Sequence, residues 1–398
     1  MNIKLKKATI CGSINAIPSK SFAHRILICD FLAQKPIKIE FNGFSSKDIL
    51  ATANCLTDIR NGKTQLHCGE SGSTLRFLLP LCCSIGGEFS FFGQGKLLER
   101  PNDELFSVLR EKGAKVEQTK EFIKIKGKIC SGEYKIRGDI SSQYITGLFF
   151  ALSNLEGDSK IVLTTPLSSK AYLDITLQVL AGYGVNIETT EYGFFIKGNK
   201  KFVGQFEIEG DWSNMATFLI LGAVAGDITV KGLNLESVQG DKAVMSVLQK
   251  AGAIIERDAD KIRVKKSQLK GFTFDADNCP DLVPVVSVLG ALAKGKTVIN
   301  NVQRLKIKES DRILSTLSTL KAFGIKAESD GESITIYGGK VKGAKINSFN
   351  DHRIVMASAV LGAVADGESV INGAEAVQKS YPTFFDDYSK LGGKISEI

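Results

Sequence analysis

The chain has 398 residues, of which 43% are hydrophobic and 24% charged, as is usual for a globular protein. This length exceeds what one hydrophobic core normally organises, so we expect two domains. The formal net charge of +8 suits an anionic partner, but the cations form no tail and are not interleaved with aromatic residues, which argues against a nucleic-acid binder.

The chain begins with MNIKLKKATI, which carries cations but no hydrophobic signal core, and no segment reaches the roughly 18 apolar residues of a membrane span. We therefore expect a cytoplasmic protein that does not contact a membrane. The eight cysteines are scattered without a CxxC pair, which favours buried free thiols. The histidines His24, His67 and His352 do not lie at metal-ligand spacing, so we expect no metal site.

Six stretches of the chain place polar residues directly before an apolar run, a pattern that predicts a helix with a polar N-terminus. Free N–H groups and the macrodipole make such ends attractive to anions. Together the six ends could form one anion site. They are PSKSFAHR (18–25), GESGSTLRFLLPL (69–81), ISSQYITGLFFAL (140–152), GDWSNMATFLIL (210–221), DLVPVVSVLGAL (281–292) and NDHRIVMASAVL (350–361).

These stretches recur about every 70 residues after a shorter first interval, which indicates an internal repeat. Each unit reads as helix, glycine turn, short strand, second helix and one or two strands. The last unit is short and we expect the opening residues IKLKKATI to complete it. Six units divide most simply into two domains, 18–208 and 1–17 plus 209–398, with a cleft between them. A repeat without any site is the alternative, but it would not explain the cations at the helix starts.

The segment VQRLKIKESDR (302–312) concentrates charge. If Lys308 and Arg312 both lie in a helix, they are four residues apart on one face, where like charges repel and an external anion would relieve them. A solvated, charge-mixed helix start is the alternative interpretation. Carboxylates at Asp281 and Glu309 are unexpected in an anion site, and general acid–base work would explain them. For Asp281, a helix cap is equally compatible with the sequence.

Motifs that cradle nucleotides or carry common hydrolytic chemistry are missing. The sequence contains no GxGxxG that opens a βαβ unit, no GxxxxGK[ST], no HExxH and no GxSxG. P-loop nucleotide binding and hydride transfer by a Rossmann domain therefore have no support.

Nine stretches resemble, in order, those of one family, the 5-enolpyruvylshikimate-3-phosphate synthases (3-phosphoshikimate 1-carboxyvinyltransferases). The resemblance covers essentially the whole chain. It implies the enolpyruvyl transferase fold, a two-domain inside-out α/β barrel in which each domain has three βαβαββ units. The matching stretches are PSKSFAHR, GESGSTLR, LERP, ISSQYITG, PLSSKAYLDIT, PDLVP, IKESDR, NDHR and KSYP.

The reaction implied by the resemblance moves the enolpyruvyl group of phosphoenolpyruvate to the 5-hydroxyl of shikimate 3-phosphate and releases phosphate. Neither a metal nor an organic cofactor is implied, and we expect a monomer with these two small-molecule substrates. The resemblance implies that Asp281 is the base that deprotonates the 5-hydroxyl and that Glu309 is the acid that protonates the methylene carbon. Lys20 would take part in these proton transfers.

The resemblance also assigns substrate contacts. Shikimate 3-phosphate would contact Lys20, Ser21, Arg25, Ser141, Ser142, Ser169, Asp281 and Lys308. Phosphoenolpyruvate would contact Lys20, Gly72, Arg100, Gln143, Arg312, Arg353 and Lys379.

Three positions depart from the pattern of the family. Glu70 and Arg304 stand where many members carry Asn, and Phe77 stands where some carry Pro. These departures leave the reaction type intact but bear on glyphosate, which competes with phosphoenolpyruvate in this family. Because Gly72 is retained, we predict that glyphosate inhibits.

Two other families are alternatives. UDP-N-acetylglucosamine 1-carboxyvinyltransferases share the fold and the donor, but they usually carry a Cys or Asp in the loop that matches GQGKLLERP, which has neither. RNA 3′-terminal phosphate cyclases share the repeat, but they need a catalytic histidine. A non-catalytic anion-binding relative would require that Asp281, Glu309 or Lys20 be dispensable.

Overall fold

The structure, a computed structural model, describes all residues from 1 to 398. The chain folds into two compact units. Unit 1 comprises Met1–Ser19 and Glu209–Ile398, and unit 2 comprises Lys20–Ile208. No helix is long and apolar enough to cross a membrane.

Twelve α-helices alternate with strands along the chain. They are α1 (Lys20–Leu32), α2 (Lys47–Arg60), α3 (Gly72–Ile85), α4 (Asp103–Glu111), α5 (Ser142–Ser153), α6 (Lys170–Gly182), α7 (Trp212–Ala225), α8 (Val244–Lys250), α9 (Val283–Leu292), α10 (Arg312–Ala322), α11 (His352–Val364) and α12 (Phe384–Lys390). All six predicted polar-headed helices are present, as α1, α3, α5, α7, α9 and α11.

Twenty short strands form five sheets. They are β1 (Asn2–Lys6), β2 (Ile10–Asn15), β3 (Gln65–His67), β4 (Glu88–Phe92), β5 (Lys115–Gln118), β6 (Phe122–Lys126), β7 (Glu133–Ile136), β8 (Ser159–Leu163), β9 (Ile187–Thr190), β10 (Gly193–Ile196), β11 (Gly226–Lys231), β12 (Ile254–Asp258), β13 (Lys261–Lys265), β14 (Thr273–Asp275), β15 (Lys296–Asn300), β16 (Lys326–Ser329), β17 (Ser333–Tyr337), β18 (Lys345–Asn347), β19 (Ser369–Asn372) and β20 (Lys394–Glu397).

Unit 2 contains two four-stranded sheets of the same topology, ordered β3-β4-β6-β5 and β7-β8-β10-β9. In each, the first pair is parallel and the other pairs are antiparallel, as a repeated unit requires. The first repeat differs, because between α1 and α2 the backbone forms only an isolated bridge from Phe41 to Phe44.

The long apolar helices of unit 2 are buried on nearly every side, which explains why their sequences are hydrophobic all round. Helices α3 and α5 pack closely where Gly147 faces the backbone of α3. A Cβ atom at Gly147 would lie 2.4 Å from the carbonyl oxygen of Arg76. This packing fixes the N-termini of the two helices, which carry the predicted polar residues.

Unit 1 contains three four-stranded sheets, ordered β12-β13-β11-β2, β14-β15-β17-β16 and β18-β19-β1-β20. The predicted completion of the last unit is confirmed, because β1 at the start of the chain pairs with both β19 and β20. Helices α7, α9 and α11 are buried along almost their whole length and contact one another. Their N-terminal ends carry the polar residues described next.

Candidate active site

In unit 2, Lys20 is the first residue of α1 and is held by a carboxylate. Its Nζ donates to Oδ2 of Asp48 at 2.7 Å, and the two side chains are 16% and 13% exposed. Asp48 lies in the first turn of α2, which Ser46 caps. Sequence reasoning missed Asp48, although an acidic residue two positions after a serine cap is a local signal for a helix start.

Arg25, one turn further along α1, is buried and 3% exposed. Its guanidinium donates to Oγ1 of Thr176 at 2.8 Å and to the carbonyl oxygens of Ser21 at 2.6 Å and Tyr172 at 2.9 Å. It also stands over the ring of Phe77 at 5.1 Å. All these acceptors are neutral, and burial lowers the pKa of Arg25 to about 9. A buried cation without a carboxylate partner is unfavourable until an anion reaches it.

Two further helices converge on this position. Thr176 of α6 lies 2.9 Å from Thr146 of α5 through their hydroxyl oxygens, so α1, α5 and α6 meet at one hydroxyl pair. Ser169, directly before α6, is buried and has a φ of 55°, in the left-handed region. Strained backbone of this kind in a non-glycine residue often marks a functional position.

The N-terminus of α3 is shaped by Gly72. Ser71 caps the helix by accepting from the N–H of Thr74, and Gly72 follows it. A Cβ atom at Gly72 would lie 2.5 Å from Nη1 of Arg100. Only glycine therefore leaves room for the Arg100 guanidinium at this helix end. Glu70, one of the departures from the family pattern, packs against Gly95, where a Cβ atom would lie 2.6 Å from its Oε2.

Gln143, in the first turn of α5, is oriented by two neighbours. Its Oε1 accepts from Nη1 of Arg76 at 2.8 Å, and its Nε2 donates to Oγ of Ser73 at 3.0 Å. Arg76 is in turn held by Oδ1 of Asn102 at 3.0 Å. Ser141 caps α5, its hydroxyl accepting from the Gln143 N–H at 3.3 Å, and the following residue, Ser142, is buried. Sequence reasoning missed the role of Arg76 in orienting Gln143.

In unit 1, Asp281 is surrounded by cations. Its Oδ1 accepts from Nη1 of Arg312 at 2.8 Å and from Nζ of Lys308 at 3.2 Å, and its Oδ2 lies 3.8 Å from Nη2 of Arg353. Burial acts to raise the pKa of the Asp281 carboxyl, but these three cations outweigh it and hold the pKa well below its ordinary value. The fold therefore brings together one carboxylate and three cations from segments that are distant in the sequence.

Arg312 binds two more carboxylates. Its Nε donates to Oδ2 of Asp351 at 2.8 Å, and its Nη2 donates to Oε2 of Glu309 at 2.7 Å. Arg312 and Asp351 are both fully buried. Burial would lower the pKa of Arg312, but the carboxylates raise it well above its ordinary value. Asp351 also caps α11 by accepting from the N–H of Arg353, and sequence reasoning had singled out only the arginine of this NDHR motif.

Two interpretations that the sequence left open for these residues do not hold. Lys308 does not lie in α10, which begins at Arg312 with Asp311 as its cap, so Lys308 and Arg312 are not one helical turn apart. They converge instead on Asp281, which already relieves their repulsion. The capping interpretation of Asp281 also fails, because no side chain caps the helical segments at 280–292 and both carboxylate oxygens face cations.

Arg353 connects this cluster to α7. Its Nη1 donates to the carbonyl oxygen of Ser213 at 2.9 Å, its Nη2 donates to the Ser213 hydroxyl, and its Nε has no hydrogen-bond partner although the side chain is buried. Asp241, which sequence reasoning missed, lies near Arg353, Ser213 and Asp281. Burial and then the charge of Asp281 raise the pKa of Asp241 to about 7. Lys379 is buried, and its Nζ donates to the Asn350 carbonyl oxygen at 2.5 Å.

We call Asp241, Asp281, Lys308, Glu309, Arg312, Asp351 and Arg353 the Asp281 cluster. Within unit 2, the predicted residues gather at the starts of α1, α3, α5 and α6. Within unit 1, they gather at the starts of α9, α10 and α11, apart from Lys379, which follows β19. Such groups of arginine, lysine and helix N-termini suit ligands that carry phosphate and carboxylate.

Comparisons with known proteins agree on one family. The family model described as EPSP synthase (3-phosphoshikimate 1-carboxyvinyltransferase) matches residues 5–388. A 3-phosphoshikimate 1-carboxyvinyltransferase of Clostridium kluyveri is 40% identical over 419 residues, covering 99% of this chain and 98% of the relative. That of Clostridium novyi is 39% identical over 429 residues, covering 100% and 98%.

Solved structures share the fold. An EPSP synthase from Acinetobacter baumannii superposes with a TM-score of 0.78 at 24% identity and covers all of both chains. The enolpyruvyl transferase NikO from Streptomyces tendae superposes with a TM-score of 0.76 at 15% identity, covering 99% of this chain and 98% of the other. The predicted enolpyruvyl transferase fold is thereby confirmed.

Proposed function

The chain belongs to the EPSP synthase (3-phosphoshikimate 1-carboxyvinyltransferase) family, and on this premise we propose how its residues share the reaction. The chain transfers the enolpyruvyl group of phosphoenolpyruvate to the 5-hydroxyl of shikimate 3-phosphate, a step of the shikimate pathway to aromatic amino acids. The family predicted from the nine sequence stretches is confirmed, and the nucleotide-sugar and RNA cyclase alternatives are not favoured.

Arg25 carries the proposal for shikimate 3-phosphate. Its guanidinium is buried, makes three hydrogen bonds to neutral acceptors and has its pKa lowered by burial. A substrate phosphate would supply the missing countercharge. The other contacts proposed for this substrate in unit 2 lie at helix starts, where N–H groups favour phosphate oxygens. They are Lys20, Ser21, Ser141, Ser142 and Ser169.

For phosphoenolpyruvate, the support is the space left at Gly72. Arg100 approaches the N-terminus of α3 only because residue 72 has no side chain. An arginine beside free helix N–H groups suits a phosphate or carboxylate. Gln143 is held in place by Arg76 and Ser73 and can donate or accept at this position. We assign Lys20, Arg312, Arg353 and Lys379 to the same substrate.

Asp281 is proposed as the base for the 5-hydroxyl. Its low pKa keeps it ionised at neutral pH, but the same cations make it a weak base before substrates bind. Substrate anions that bind Lys308, Arg312 and Arg353 would neutralise those charges and raise the basicity of Asp281 when the substrate arrives. We assign Lys308 and Asp281 to shikimate 3-phosphate, as the family resemblance implies.

The chemical step is an addition followed by an elimination. The 5-oxygen loses its proton to Asp281 and bonds to C2 of phosphoenolpyruvate, while Glu309 gives a proton to the methylene carbon. The tetrahedral intermediate then returns a proton from the new methyl group to Glu309, and the bond between C2 and the bridging phosphate oxygen breaks to release phosphate. Lys20 shares the proton transfer, and surrounding cations stabilise the anionic intermediate. Glu309, now bound by Arg312 at 2.7 Å, takes up a proton more readily once a substrate carboxylate competes for that arginine.

Phosphate release from phosphoenolpyruvate by the purified protein tests the proposed transfer to shikimate 3-phosphate. Release with shikimate 3-phosphate and not with UDP-N-acetylglucosamine is the expected result. Release only with the nucleotide sugar would contradict it. Analytical ultracentrifugation of the same preparation would test the predicted monomer, and cell fractionation the predicted cytoplasmic location.

A further inference from the structure

Unit 1 contains a cavity of about 430 Å³ that involves none of the residues assigned above. It lies where α7, α9 and α11 end, and the apolar part of its lining forms its floor. The floor is formed by Val224, Ala225, Leu269, Leu292 and Ala363, of which all but the partly exposed Leu292 are buried. A volume of this size is in the range of small-molecule sites.

The rim of the cavity is cationic. Lys7, Lys266 and Lys394 line it and are exposed, and none of them forms an ion pair. We call the cavity with these three residues the lysine pocket. Lys394 lies directly across from Lys6 in the pairing of β20 with β1, but Lys6 is ion-paired with Glu368 at 3.1 Å, so the positive charge of the pocket rests on the three rim lysines. No acidic residue lines the cavity.

A structural reason for the lysines would be that they neutralise the negative ends of the three helices. Backbone donors already meet part of this need. The N–H of Ala8 donates to the Ala363 carbonyl at 3.0 Å at the end of α11, and the N–H of Ser267 donates to the Ala223 carbonyl at 3.0 Å at the end of α7. The ammonium groups are therefore available to an external anion.

The lysine pocket is remote from the Asp281 cluster. Along α7, Ser213, which binds Arg353, lies 12 residues before Ala225 on the cavity floor. At 1.5 Å per residue this is roughly 20 Å. A ligand in the pocket and the two substrates would therefore bind at the same time.

We propose that the lysine pocket binds a small aromatic carboxylate, with the ring on the apolar floor and the carboxylate among the three ammonium groups. The floor excludes highly hydrated anions such as free phosphate as the preferred ligand, because they would leave it uncovered. The rim disfavours neutral aromatic compounds, because they would leave the three cations without a partner. Only a molecule with both parts satisfies both surfaces.

The test uses 2-naphthoate as the probe and 2-naphthol as a neutral analogue of similar shape. Calorimetric titration is performed in saturating shikimate 3-phosphate, so that the substrate site is occupied. We expect 2-naphthoate to bind and 2-naphthol to bind at least about tenfold more weakly. Undetectable binding of 2-naphthoate up to about 5 mM, or binding that shikimate 3-phosphate abolishes, would overturn the proposal.

Variants locate the binding. The triple variant Lys7→Gln, Lys266→Gln, Lys394→Gln should bind 2-naphthoate at least about tenfold more weakly. The matched control is Lys250→Gln, Lys340→Gln, Lys345→Gln, which removes the same charge from other exposed positions of unit 1. Equal losses in both triple variants would mean that net charge alone attracts the probe, and the proposal would fail.

A second variant tests the cavity by its volume. Thr9 is exposed on the lining, so Thr9→Trp should fill the space without changing charge or the buried core. We expect it to abolish 2-naphthoate binding while phosphate release from the two substrates stays at the wild-type rate, which also shows that the variant folds. Unchanged binding in Thr9→Trp would place the probe elsewhere and overturn the proposal.

Discussion

Two buried arginines show how differently the two units use positive charge. Arg25 in unit 2 is 3% exposed and donates only to neutral oxygens, whereas Arg312 in unit 1 is fully buried and binds Asp281, Glu309 and Asp351. The pKa of Arg25 is lowered to about 9 by burial, but that of Arg312 is raised well above its ordinary value by the carboxylates. In unit 2, therefore, the charge of Arg25 has no carboxylate partner and is free to bind an anion. In the Asp281 cluster, carboxylates already neutralise the charge of Arg312.

The comparison implies different roles. A cation that lacks a partner contributes binding energy to a substrate phosphate. A cation shared among carboxylates instead adjusts their proton affinities, and a substrate anion that competes for it changes those affinities during the reaction. Binding strength should accordingly depend most on unit 2, and turnover on the Asp281 cluster.

The largest effect is expected when the chemistry of the Asp281 cluster is removed. Asp281→Asn keeps the shape of the side chain but cannot accept the hydroxyl proton, so we expect kcat to fall by roughly 10²–10⁴-fold. Binding of shikimate 3-phosphate should change much less, because Arg25 is intact. Steady-state kinetics and calorimetry measure the two quantities. A variant with near-normal kcat would remove Asp281 from the mechanism.

Substituting Arg312, whose charge is neutralised by carboxylates, should destabilise the folded state. Arg312→Met leaves Asp351, which is fully buried, without its main cation. We expect a loss of about 3–5 kcal/mol in the free energy of unfolding, as is usual when one partner of a buried ion pair is removed. Urea denaturation at neutral pH measures it. A loss below about 1 kcal/mol would show that the carboxylates do not depend on Arg312.

The matched substitution in unit 2 should harm binding instead. Arg25→Met removes a buried cation together with three hydrogen bonds to neutral oxygens, and these effects oppose each other. We expect the free energy of unfolding to change by only about 1 kcal/mol. Affinity for shikimate 3-phosphate should fall by roughly 10²-fold, because a charge-assisted contact is lost. If Arg25→Met instead destabilised the fold as much as Arg312→Met, the contrast between the two arginines would be wrong.

The sequence predicted one side of this contrast better than the other. Polar residues before apolar runs predicted all six central helices, and Lys20, Arg25 and Gly72 could be located from those local patterns. The countercharges could not, because Asp48 and Asp351 gain their importance from partners 28 and 39 residues away. Both aspartates lie at helix starts, where a local role is sufficient to explain an acidic residue.

The placement of Lys308 shows the same limit. Its spacing from Arg312 suggested one helical face, but Asp311 caps α10 at a later residue and leaves Lys308 outside the helix. The sequence also did not reveal that no regular strand forms between α1 and α2, since PIKIEF alternates apolar and polar residues as a strand does. Whether such a segment becomes a strand depends on a neighbouring strand to pair with, and the first repeat has none at this position.

The pH dependence of stability provides a further test, confined to unit 1. Asp241 has its pKa raised from 3.8 to about 7 by burial and by the charge of Asp281. The folded state therefore binds its proton more tightly than the unfolded state, so this group makes the free energy of unfolding fall as pH rises from about 4 to 7. Asp241→Asn has no such group. Its stability relative to wild type should increase across that window by up to about 4 kcal/mol.

Urea denaturation of both proteins at intervals from pH 4 to pH 8 measures the difference, and only the difference matters because the other groups titrate in both. Parallel stability profiles would contradict a raised pKa at Asp241. If the relative stability of Asp241→Asn fell as pH rises, the charge of Arg353 would outweigh burial at this position.

The smallest effect is expected at the start of α3 in unit 2. Gly72→Ala adds a Cβ atom that would lie 2.5 Å from Nη1 of Arg100, so the guanidinium must move. The end of a long side chain can shift at modest cost, and we expect the KM for phosphoenolpyruvate to rise by roughly tenfold with little change in the KM for shikimate 3-phosphate. Glyphosate, predicted to compete with phosphoenolpyruvate in the wild-type protein, should inhibit Gly72→Ala less strongly for the same reason. Arg100→Lys is the informative companion, since its slimmer head leaves room for the methyl group. If Gly72→Ala raises KM equally in the Arg100→Lys background, the added methyl group acts directly on the substrate and not through Arg100.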